Sequence, residues 1–422
     1  MQENSFKLKG FIVWGICALF FLYEFFLRTV IGSYQTPLMN DLNLSALEFS
    51  ILSSTLFLLV YGFMQIPVGI IIDNIGLKKS LIIGCSTCIL ACLIFSYSSN
   101  YLTSLSARSL MGFGASFGFI CLLIAVQDWM PSKYNALFIG LSQFIGTIGP
   151  MLAAGPLESL SETSNINWRQ IFFILSIIGA AILILIIVFV QNKQKTEGKH
   201  IILSRPEAAS TAITKLFTRK EPWIIAFLSA LLYFTIEYFS ENEGRNFIVS
   251  KKLDNSYASY MITVSWLGYA FGAPVLGLIS DFIRRRKIML ISGALVGIVA
   301  ILIILYSDDK TYLIFGFFLL GISGSSQTIG FAIMAEQFKK KFVAIGFGLN
   351  NAILNGMAAI NAPIIGYFLD CRKCDGTIEL QDYTYIFSFF ILIPIMALIL
   401  SSFFLKETYC KSSVDFTYLN IK

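Results

Sequence analysis

Charged side chains interrupt two long apolar stretches of this sequence at helical spacing. Glu24 and Arg28 are four residues apart in the first stretch, and Glu237, Glu241 and Arg245 follow the same spacing in the second. Residues four apart share one face of a helix, so each set predicts a charged stripe. A stripe of this kind can bind a charged ligand, hold a proton on a carboxylate, or form ion pairs between its own members. The internal pairs would be Glu24 with Arg28 and Glu241 with Arg245.

Further polar side chains lie inside apolar stretches and have two interpretations. They can contact a solute, or they can hold helices together through hydrogen bonds. Arg108 is the charged member, and its alternative partners are the backbone carbonyls of neighbouring helices. The uncharged members are Gln65, Gln143, Gln327, Asn351 and Asn355.

Long apolar helices must hold these side chains, and the composition predicts them. Of 422 residues, 56% are hydrophobic and only 13% are charged, which excludes an ordinary soluble protein. A helix of about 20 apolar residues spans a bilayer, and the apolar stretches lack the alternating polarity of a β-barrel. The sequence predicts an all-α membrane protein with twelve spans, at 11–32, 47–72, 79–98, 101–128, 134–156, 168–191, 222–250, 257–283, 286–306, 310–337, 342–369 and 383–405.

Basic residues predict how the chain is oriented in the membrane. Lysine and arginine concentrate in segments that are cytoplasmic if the N terminus is inside, so both termini are predicted to be cytoplasmic. One long polar insertion separates six spans from six, which predicts bundles at 1–191 and 222–422 and a linker at 192–221. The sequence pI of 8.8 is then a topology signal and not a nucleic-acid footprint.

The two halves repeat each other with an offset of 208 positions. Asp73 and Asp281 (281 − 73 = 208) each follow a glycine by four residues and precede basic residues. Repeats of this kind place a substrate near the bilayer midplane, between the halves. The same offset relates Asp128 to Glu336 and Gln143 to Asn351.

The two aspartates mark candidate latches at the predicted inner face. Each ends a predicted helix, where its carboxylate can accept hydrogen bonds from a neighbouring helix end and pair with basic residues. Alternatively, the basic residues only anchor the topology. The first latch would join Asp73, Lys78 and Lys79 to Asp128, and the second would join Asp281 and the run Arg284, Arg285, Arg286 and Lys287 to Glu336.

Several motifs resemble a known transporter family. The segment 69–79 resembles the signature loop of the major facilitator superfamily, and RSLMGFGA at 108–115 is similar to its fourth-helix motif. YEFFLR at 23–28 and MQIPVG at 64–69 look most like the phagosomal amino-acid transporters of intracellular proteobacteria. The resemblance implies two six-helix bundles around a central cavity, transport by alternating access, and the gating arrangement described above.

The repeat offset and the superfamily's packing together suggest a substrate. Position 236 corresponds to Arg28, so Glu237 would lie nearly level with that arginine across the cavity. The pair would suit a zwitterion, with Arg28 holding a carboxylate and Glu237 an ammonium group. We predict an amino-acid importer driven by protons, with Glu24 or Glu237 as the proton carrier. The alternatives are a transporter of an organic anion, sugar phosphate or siderophore, including an exporter, and a sensor that does not transport.

The sequence predicts neither an enzyme nor a cofactor. It contains no phosphate-binding loop, zinc-protease motif or nucleophile elbow. The expected partners are the solute and the lipid bilayer, and we expect a monomer that binds no nucleic acid and no metal. Cys371 and Cys374 form a CxxC that can be a disulfide in an oxidising periplasm or a pair of free thiols.

Overall fold

The computed structural model describes residues 8–130, 135–164, 166–192, 219–337, 343–373 and 378–410. Within these ranges the secondary structure is helical, which confirms the predicted all-α class. Eleven helical segments are long and apolar enough to cross a membrane. The remaining predicted span, 134–156, corresponds to the 19-residue helix Asn135–Ala153. The predicted linker at 192–221 lies almost wholly outside the described residues.

The helices fall into two sets on either side of the linker. The first set is α1 Leu8–Ser33, α2 Gln35–Leu42, α3 Ala46–Ser50, α4 Leu56–Ile75, α5 Leu77–Ser96, α6 Tyr101–Trp129, α7 Asn135–Ala153, α8 Gly155–Ser164 and α9 Trp168–Phe189. The second set is α10 Lys220–Glu241, α11 Gly244–Ser250, α12 Asn255–Ile283, α13 Lys287–Tyr306, α14 Lys310–Ser325, α15 Gln327–Gln337, α16 Val343–Arg372, α17 Leu380–Ser388 and α18 Leu392–Ile399.

Polar residues between the apolar stretches cap the helix starts. Ser45 and Glu48 form a capping box at the start of α3, and Asn167 and Gln170 form one at the start of α9. The Asn100 side chain accepts the backbone N–H of Thr103, 2.9 Å away, at the start of α6. Such side chains satisfy N–H groups that have no partner in the first turn of a helix. They therefore fix where the apolar spans begin.

Several predicted spans depart from one continuous α-helix. The span predicted at 222–250 stops at Glu241 and resumes at Gly244, because Asn242 leaves the helical conformation at φ −127° and ψ −126°. The span at 310–337 is interrupted at Ser326. A π-helical turn, Ile51–Thr55, joins α3 to α4 within the span predicted at 47–72. Breaks and π turns of this kind occur often at functional sites.

The two sets pack against each other along a central interface. Helix α1 packs on α6 and α7 within the first half, and α10 packs on α16 within the second. Between the halves, α4 packs on α16 and α7 packs on α12. Residues on α1, α4, α7, α10, α12 and α16 can therefore face a common centre.

Polar contacts join the halves at the face opposite the start of α1, which we call the closed face. Arg245 and Glu158 form an ion pair across the interface. The Asp370 carboxylate accepts the backbone N–H groups of Ala46 at 3.1 Å and Leu47 at 2.8 Å, at the start of α3. Backbones also approach closely, because a Cβ added to Gly32 on α1 would overlap the carbonyl oxygen of Ser240 on α10.

The face where α1 begins, which we call the N-terminal face, is built differently. The Lys78 ammonium donates to the Ile187 carbonyl oxygen at 2.6 Å, within the first half. Arg286 donates to Asp281 at 2.6 Å, within the second half. Cβ atoms added to Gly15 on α1 or Gly348 on α16 would meet no atom within 4 Å. The polar contacts named at this face therefore stay within one half.

Candidate functional site

A buried charge cluster lies between the halves at the centre of the bundle. Arg28 of α1 donates from Nε to Glu241 Oε1 at 2.5 Å and forms an ion pair through Nη2 with Glu237. Arg28 Nη1 donates to Asn355 Oδ1 on α16 at 3.2 Å. The three charged residues are at most 6% exposed. Since buried charges are stable only when paired, this cluster links α1 to α10 and α16.

The cluster extends to the broken segments of both halves. Ser54, in the π turn before α4, donates to Glu241 Oε2 at 3.5 Å. Asn242, at the break after α10, donates to Ser54 Oγ at 2.8 Å and accepts from Ser53 at 2.7 Å. The two irregular segments therefore face each other beside the charges.

Glu24 lies one turn from Arg28 and is 2% exposed. It fits against α6 at Gly118, where an added Cβ would lie 2.8 Å from Glu24 Cγ. The described contacts include no ion pair for Glu24, and Arg28 pairs with Glu237 and Glu241 instead. The internal pair of Glu24 with Arg28, one of the two alternatives from the sequence, is not formed.

Arg108 is fully buried and bonded to backbone. Its guanidinium donates to the carbonyl oxygens of Leu27 at 2.9 Å, Arg28 at 3.3 Å, Leu52 at 3.2 Å and Ser53 at 2.6 Å. It also lies over the Phe57 ring, 4.6 Å from its centroid. Of its two interpretations, the structure therefore favours the bond to backbone carbonyls, which fixes α1 and the π turn beside the charge cluster.

A central cavity opens beside the cluster. Its empty volume is about 510 Å³, including the open space at its edge. Predicted residues of both halves meet there, and the aromatic members were not foreseen. Its lining is Phe21, Glu24, Phe25, Arg28, Tyr61, Phe119, Gln143, Tyr233, Tyr269, Gln327, Phe331, Asn351 and Leu354.

Some of the uncharged polar side chains of the lining form hydrogen bonds within the protein. Gln327 Nε2 donates to the Tyr269 hydroxyl at 2.8 Å. Asn351 Nδ2 donates to Gln65 Oε1 at 3.2 Å, across the two halves. Gln143 lines the cavity from α7. Gln143 and Asn351, which the 208-residue offset relates, therefore line the same cavity between the halves.

The internal pair of Glu241 with Arg245, also one of two alternatives from the sequence, is not formed. Glu241 binds Arg28, whereas Arg245 pairs with Glu158 and donates to Ser259 Oγ at 3.2 Å. The reason is the break at Asn242, which takes Arg245 off the helical stripe. Glu158 was not singled out in the sequence, because nothing in its spacing marks a partner on the other half.

The second latch forms through a different member of the basic run. Arg286 donates to Asp281 at 2.6 Å and to Glu336 at 3.1 Å. Its backbone N–H and that of Lys287 donate to Glu407. Arg284 and Arg285 have exposed side chains. The contact with Glu336 is therefore made by Arg286 and not by Arg284 or Arg285. The reason is that Arg284 takes the left-handed conformation that ends α12.

The first latch is described only in part. The described contacts of Lys78 are its ammonium with Ile187 and its backbone N–H with Asn192 Oδ1, at 2.9 Å. Lys79 is exposed, and Asp128 is half-buried near the end of α6. The Asp73 side chain lies outside the described residues, as do His200 and Cys374, so the predicted latch and disulfide stay predictions.

A second buried carboxylate lies at the closed face and was missed in the sequence. Glu243, in the turn between α10 and α11, is 1% exposed and accepts from the Tyr383 hydroxyl at 2.8 Å. Burial raises the pKa of Glu243, while hydrogen bonds from Tyr383, Gln35 and Asn246 act in the opposite direction. Its position two residues from Glu241 gave no helical signal.

Comparisons with known proteins agree with this architecture. A sequence-family profile described as Major Facilitator Superfamily matches residues 16–250 and 245–414. A protein of Escherichia coli (strain K12) described as a probable L-galactonate transporter is 23% identical over 321 residues, which cover 69% of this chain and 68% of that protein. A citrate-proton symporter of Salmonella typhi is 27% identical over 295 residues, which cover 64% of each protein.

A solved structure shares the fold. It is a bacterial homologue of the human lysosomal transporter Spinster, in an inward-facing and unoccupied conformation. The TM-score is 0.72 at 16% sequence identity, over 98% of this chain and 99% of that chain. The likeness is one of fold and covers both halves.

Proposed function

The chain belongs to the Major Facilitator Superfamily, and on that premise we propose that it imports a small amino acid across the bacterial inner membrane together with protons. Membership makes it a multi-pass membrane transporter and not an enzyme. The substrate, the coupling ion and the direction belong to the proposal.

The position of Arg28 between two carboxylates carries the substrate proposal. Glu241 binds the Nε side of the guanidinium, and Glu237 binds Nη2. A substrate carboxylate that replaces Glu237 on Arg28 leaves Glu237 to bind the substrate's ammonium group. Both charges of a zwitterion then gain a partner in one exchange, and no buried charge is left alone. An amino acid is the smallest common solute with that pair of groups.

A second candidate is an organic anion, because two relatives are described as transporters of L-galactonate and citrate. The cavity lining argues against it. Arg28 is the one arginine among the described residues of the lining, and Glu24 lies beside it. A di- or tricarboxylate needs more positive charge than one arginine supplies. Each substrate carboxylate left without a cation would lie near the Glu24 carboxylate.

The balance of charge supports proton coupling. Three buried carboxylates, Glu24, Glu237 and Glu241, accompany two buried guanidiniums, Arg28 and Arg108. An unpaired carboxylate inside a membrane is costly, so the cluster is more stable with one proton bound. Glu24, which forms no ion pair among the described contacts and lines the cavity, is the carboxylate we assign as proton carrier.

The two faces support a transport cycle with cytoplasmic termini. The closed face joins the halves, whereas the contacts described at the N-terminal face stay within each half. The concentration of lysine and arginine in the segments at the N-terminal face favours its cytoplasmic placement. In this orientation the cavity serves release to the cytoplasm. The Arg286 contacts with Asp281 and Glu336 then act at the inner gate.

Uptake of a labelled amino acid into proteoliposomes tests the proposal. The wild type should take up substrate faster when the outside is acidic. Arg28→Ala and Glu237→Gln should abolish uptake, because each removes one partner of the zwitterion. Glu24→Gln should keep exchange of substrate but lose acceleration by the pH gradient. Arg169→Ala is the matched control, since Arg169 forms an exposed pair with Asp41 away from the cavity.

Each part of the proposal has its own contrary result. Undiminished uptake in both Arg28→Ala and Glu237→Gln removes the zwitterion site. Uptake that ignores the pH gradient removes proton coupling. Uptake of citrate or galactonate without uptake of any amino acid selects the second candidate.

A further inference from the structure

We infer that the cavity contains a distinct subsite for an apolar side chain, formed by Phe21, Phe119 and Phe331, so that the transported amino acid carries a hydrocarbon side chain. The inference rests on the proposed function, because it takes Arg28 and Glu237 as the partners of the carboxylate and ammonium groups. It adds the chemical class of the side chain, which the charge cluster leaves open.

The directions of the helices separate the rings from the charges. Helix α1 runs from the N-terminal face to the closed face, so Phe21 lies on the N-terminal side of Glu24 and Arg28. Helix α15 runs the opposite way, so Phe331 lies on the N-terminal side of Gln327. Phe119 follows Gly118, the residue against which Glu24 packs. A substrate bound to Arg28 therefore has these rings on the side away from the closed face.

Packing holds the rings in place. The Phe21 and Phe119 ring centroids are 5.4 Å apart with a tilt of 36°, although the rings come from different helices. An added Cβ at Gly146 of α7 would overlap the Phe21 ring, so Phe21 is confined from that side too. Phe331 contacts Phe347 at 5.6 Å in an edge-to-face arrangement. A subsite whose walls are already ordered binds its ligand at lower entropic cost.

The subsite also selects against charge. Arg28, the one cation among the described residues of the lining, lies on the closed-face side of Phe21, whereas Glu24 packs against Gly118, which precedes Phe119. A glutamate side chain placed among the three phenyl rings would lose its hydration without gaining a cation, and a lysine side chain would gain a partner only by reaching past the rings to Glu24. A hydrocarbon side chain loses nothing there and buries its own surface against the rings.

Calorimetric binding of an amino-acid series to the purified protein tests the inference. Glycine, alanine, valine and leucine should bind with rising affinity, about fourfold for each buried methylene. Glutamate and lysine should bind at least tenfold more weakly than leucine. Leucinol lacks the carboxylate and N-acetylleucine lacks the free ammonium group, so both should bind weakly. These two compounds test the charge cluster and not the rings.

Two variants locate the subsite. Phe119→Ala and Phe331→Ala, one in each half, should weaken leucine binding by tenfold or more while leaving glycine binding unchanged. Unchanged glycine affinity shows that the fold and charge cluster persist. Phe113→Ala is the control, because Phe113 contacts Phe117 on the same helix and is absent from the cavity lining.

The outcomes separate this inference from the proposed function. Equal affinity for all six amino acids overturns the subsite and leaves the zwitterion site intact. Lysine binding as tight as leucine also overturns it, because the side chain would then reach Glu24. Binding of no amino acid by the wild type overturns the proposed function and the subsite together.

Discussion

The two faces of the bundle use glycines and charges in opposite ways. At the closed face, Gly32 touches the backbone of the other half and Arg245 pairs with Glu158 across the interface. At the N-terminal face, Gly15 on the same helix has open space beside it, and Arg286 pairs within its own half. Similar residue types therefore join the halves at one face and only shape each half at the other.

The difference explains how the cavity can be exposed to one side at a time. Contacts that cross the interface must break before the closed face can open, whereas contacts within a half can persist through that motion. The charge cluster around Arg28 also crosses the interface and lies at the base of the closed face. Rearrangement of that cluster by a substrate can thus bias the closure, provided the substrate binds the two states with different affinity.

The largest effect should come from breaking the cross-interface ion pair. Arg245→Gln leaves the buried Glu158 without its cation in the closed state, which costs about 3–5 kcal/mol. Water can hydrate Glu158 once the face opens, so the variant should favour the open state by more than a hundredfold. Spin labels on Asn43→Cys and Asn255→Cys, both exposed and in different halves, measure this as a longer distance. The background replaces Cys371, Cys374 and Cys410 with serine.

Glu158→Gln combined with Arg245→Gln is the matched test of that prediction. The double variant leaves no unpaired charge, so the short distance should recover in part. A double variant as open as Arg245→Gln alone would mean that the ion pair does not hold the face closed.

A smaller effect should follow from adding one methyl group at the closed face. Gly32→Ala places a Cβ against the Ser240 carbonyl, and such overpacking costs about 1–3 kcal/mol in the closed state alone. Uptake should fall and the label distance should lengthen. Gly15→Ala, on the same helix in open space, should leave both unchanged. Equal loss of uptake in the two variants would indicate a general packing defect in α1.

The smallest effect should be a pH dependence at Glu243. The groups that face it are Tyr383, Gln35, Asn246, Tyr238 and Asp370, and none of them is a cation. Burial raises the pKa of Glu243 in the closed state, and opening hydrates the carboxylate and returns its pKa toward the ordinary value. The closed state therefore binds the proton more tightly and is favoured by acid.

The raised pKa of Glu243 defines the pH window. The stabilisation of the closed state by the proton on Glu243 is complete below the ordinary glutamate pKa and is lost as pH rises through the raised pKa of the closed state. Within that window the open-to-closed ratio should rise by up to tenfold per pH unit. Glu243→Gln should remove this dependence. A pH dependence that persists in Glu243→Gln would place the titrating group elsewhere.

The placement of Arg28 near Glu237 could be predicted from the sequence because it depends on two regular patterns, whereas the contact of Arg28 with Glu241 was not foreseen. Spacing by four residues put Glu237 and Glu241 on one face of α10, and the 208-residue offset set Arg28 level with Glu237. Both patterns follow from the geometry of a helix and from a repeated fold. The apolar stretches likewise predicted the spans, since the requirements of a bilayer are local.

The partners at the closed face could not be predicted because they depend on irregular backbone. The break at Asn242 separates Arg245 from Glu241, and its actual partner, Glu158, is 87 positions away on the other half. Arg286, rather than Arg284, reaches Glu336 because α12 ends with a left-handed residue. The phenylalanines that line the cavity are not distinguished by sequence from the many others in the chain. Only their position in the fold identifies them as cavity residues.

The most direct test of alternating access uses two label pairs in the wild type in lipid nanodiscs. One pair is the closed-face pair at positions 43 and 255, and the other is Asn74→Cys with Arg285→Cys at the N-terminal face, where both side chains are exposed. We predict opposite shifts. A change of pH or an added amino acid that lengthens the first distance should shorten the second. If both distances lengthen together, or one never changes, the two faces do not alternate and the proposed transport cycle is contradicted.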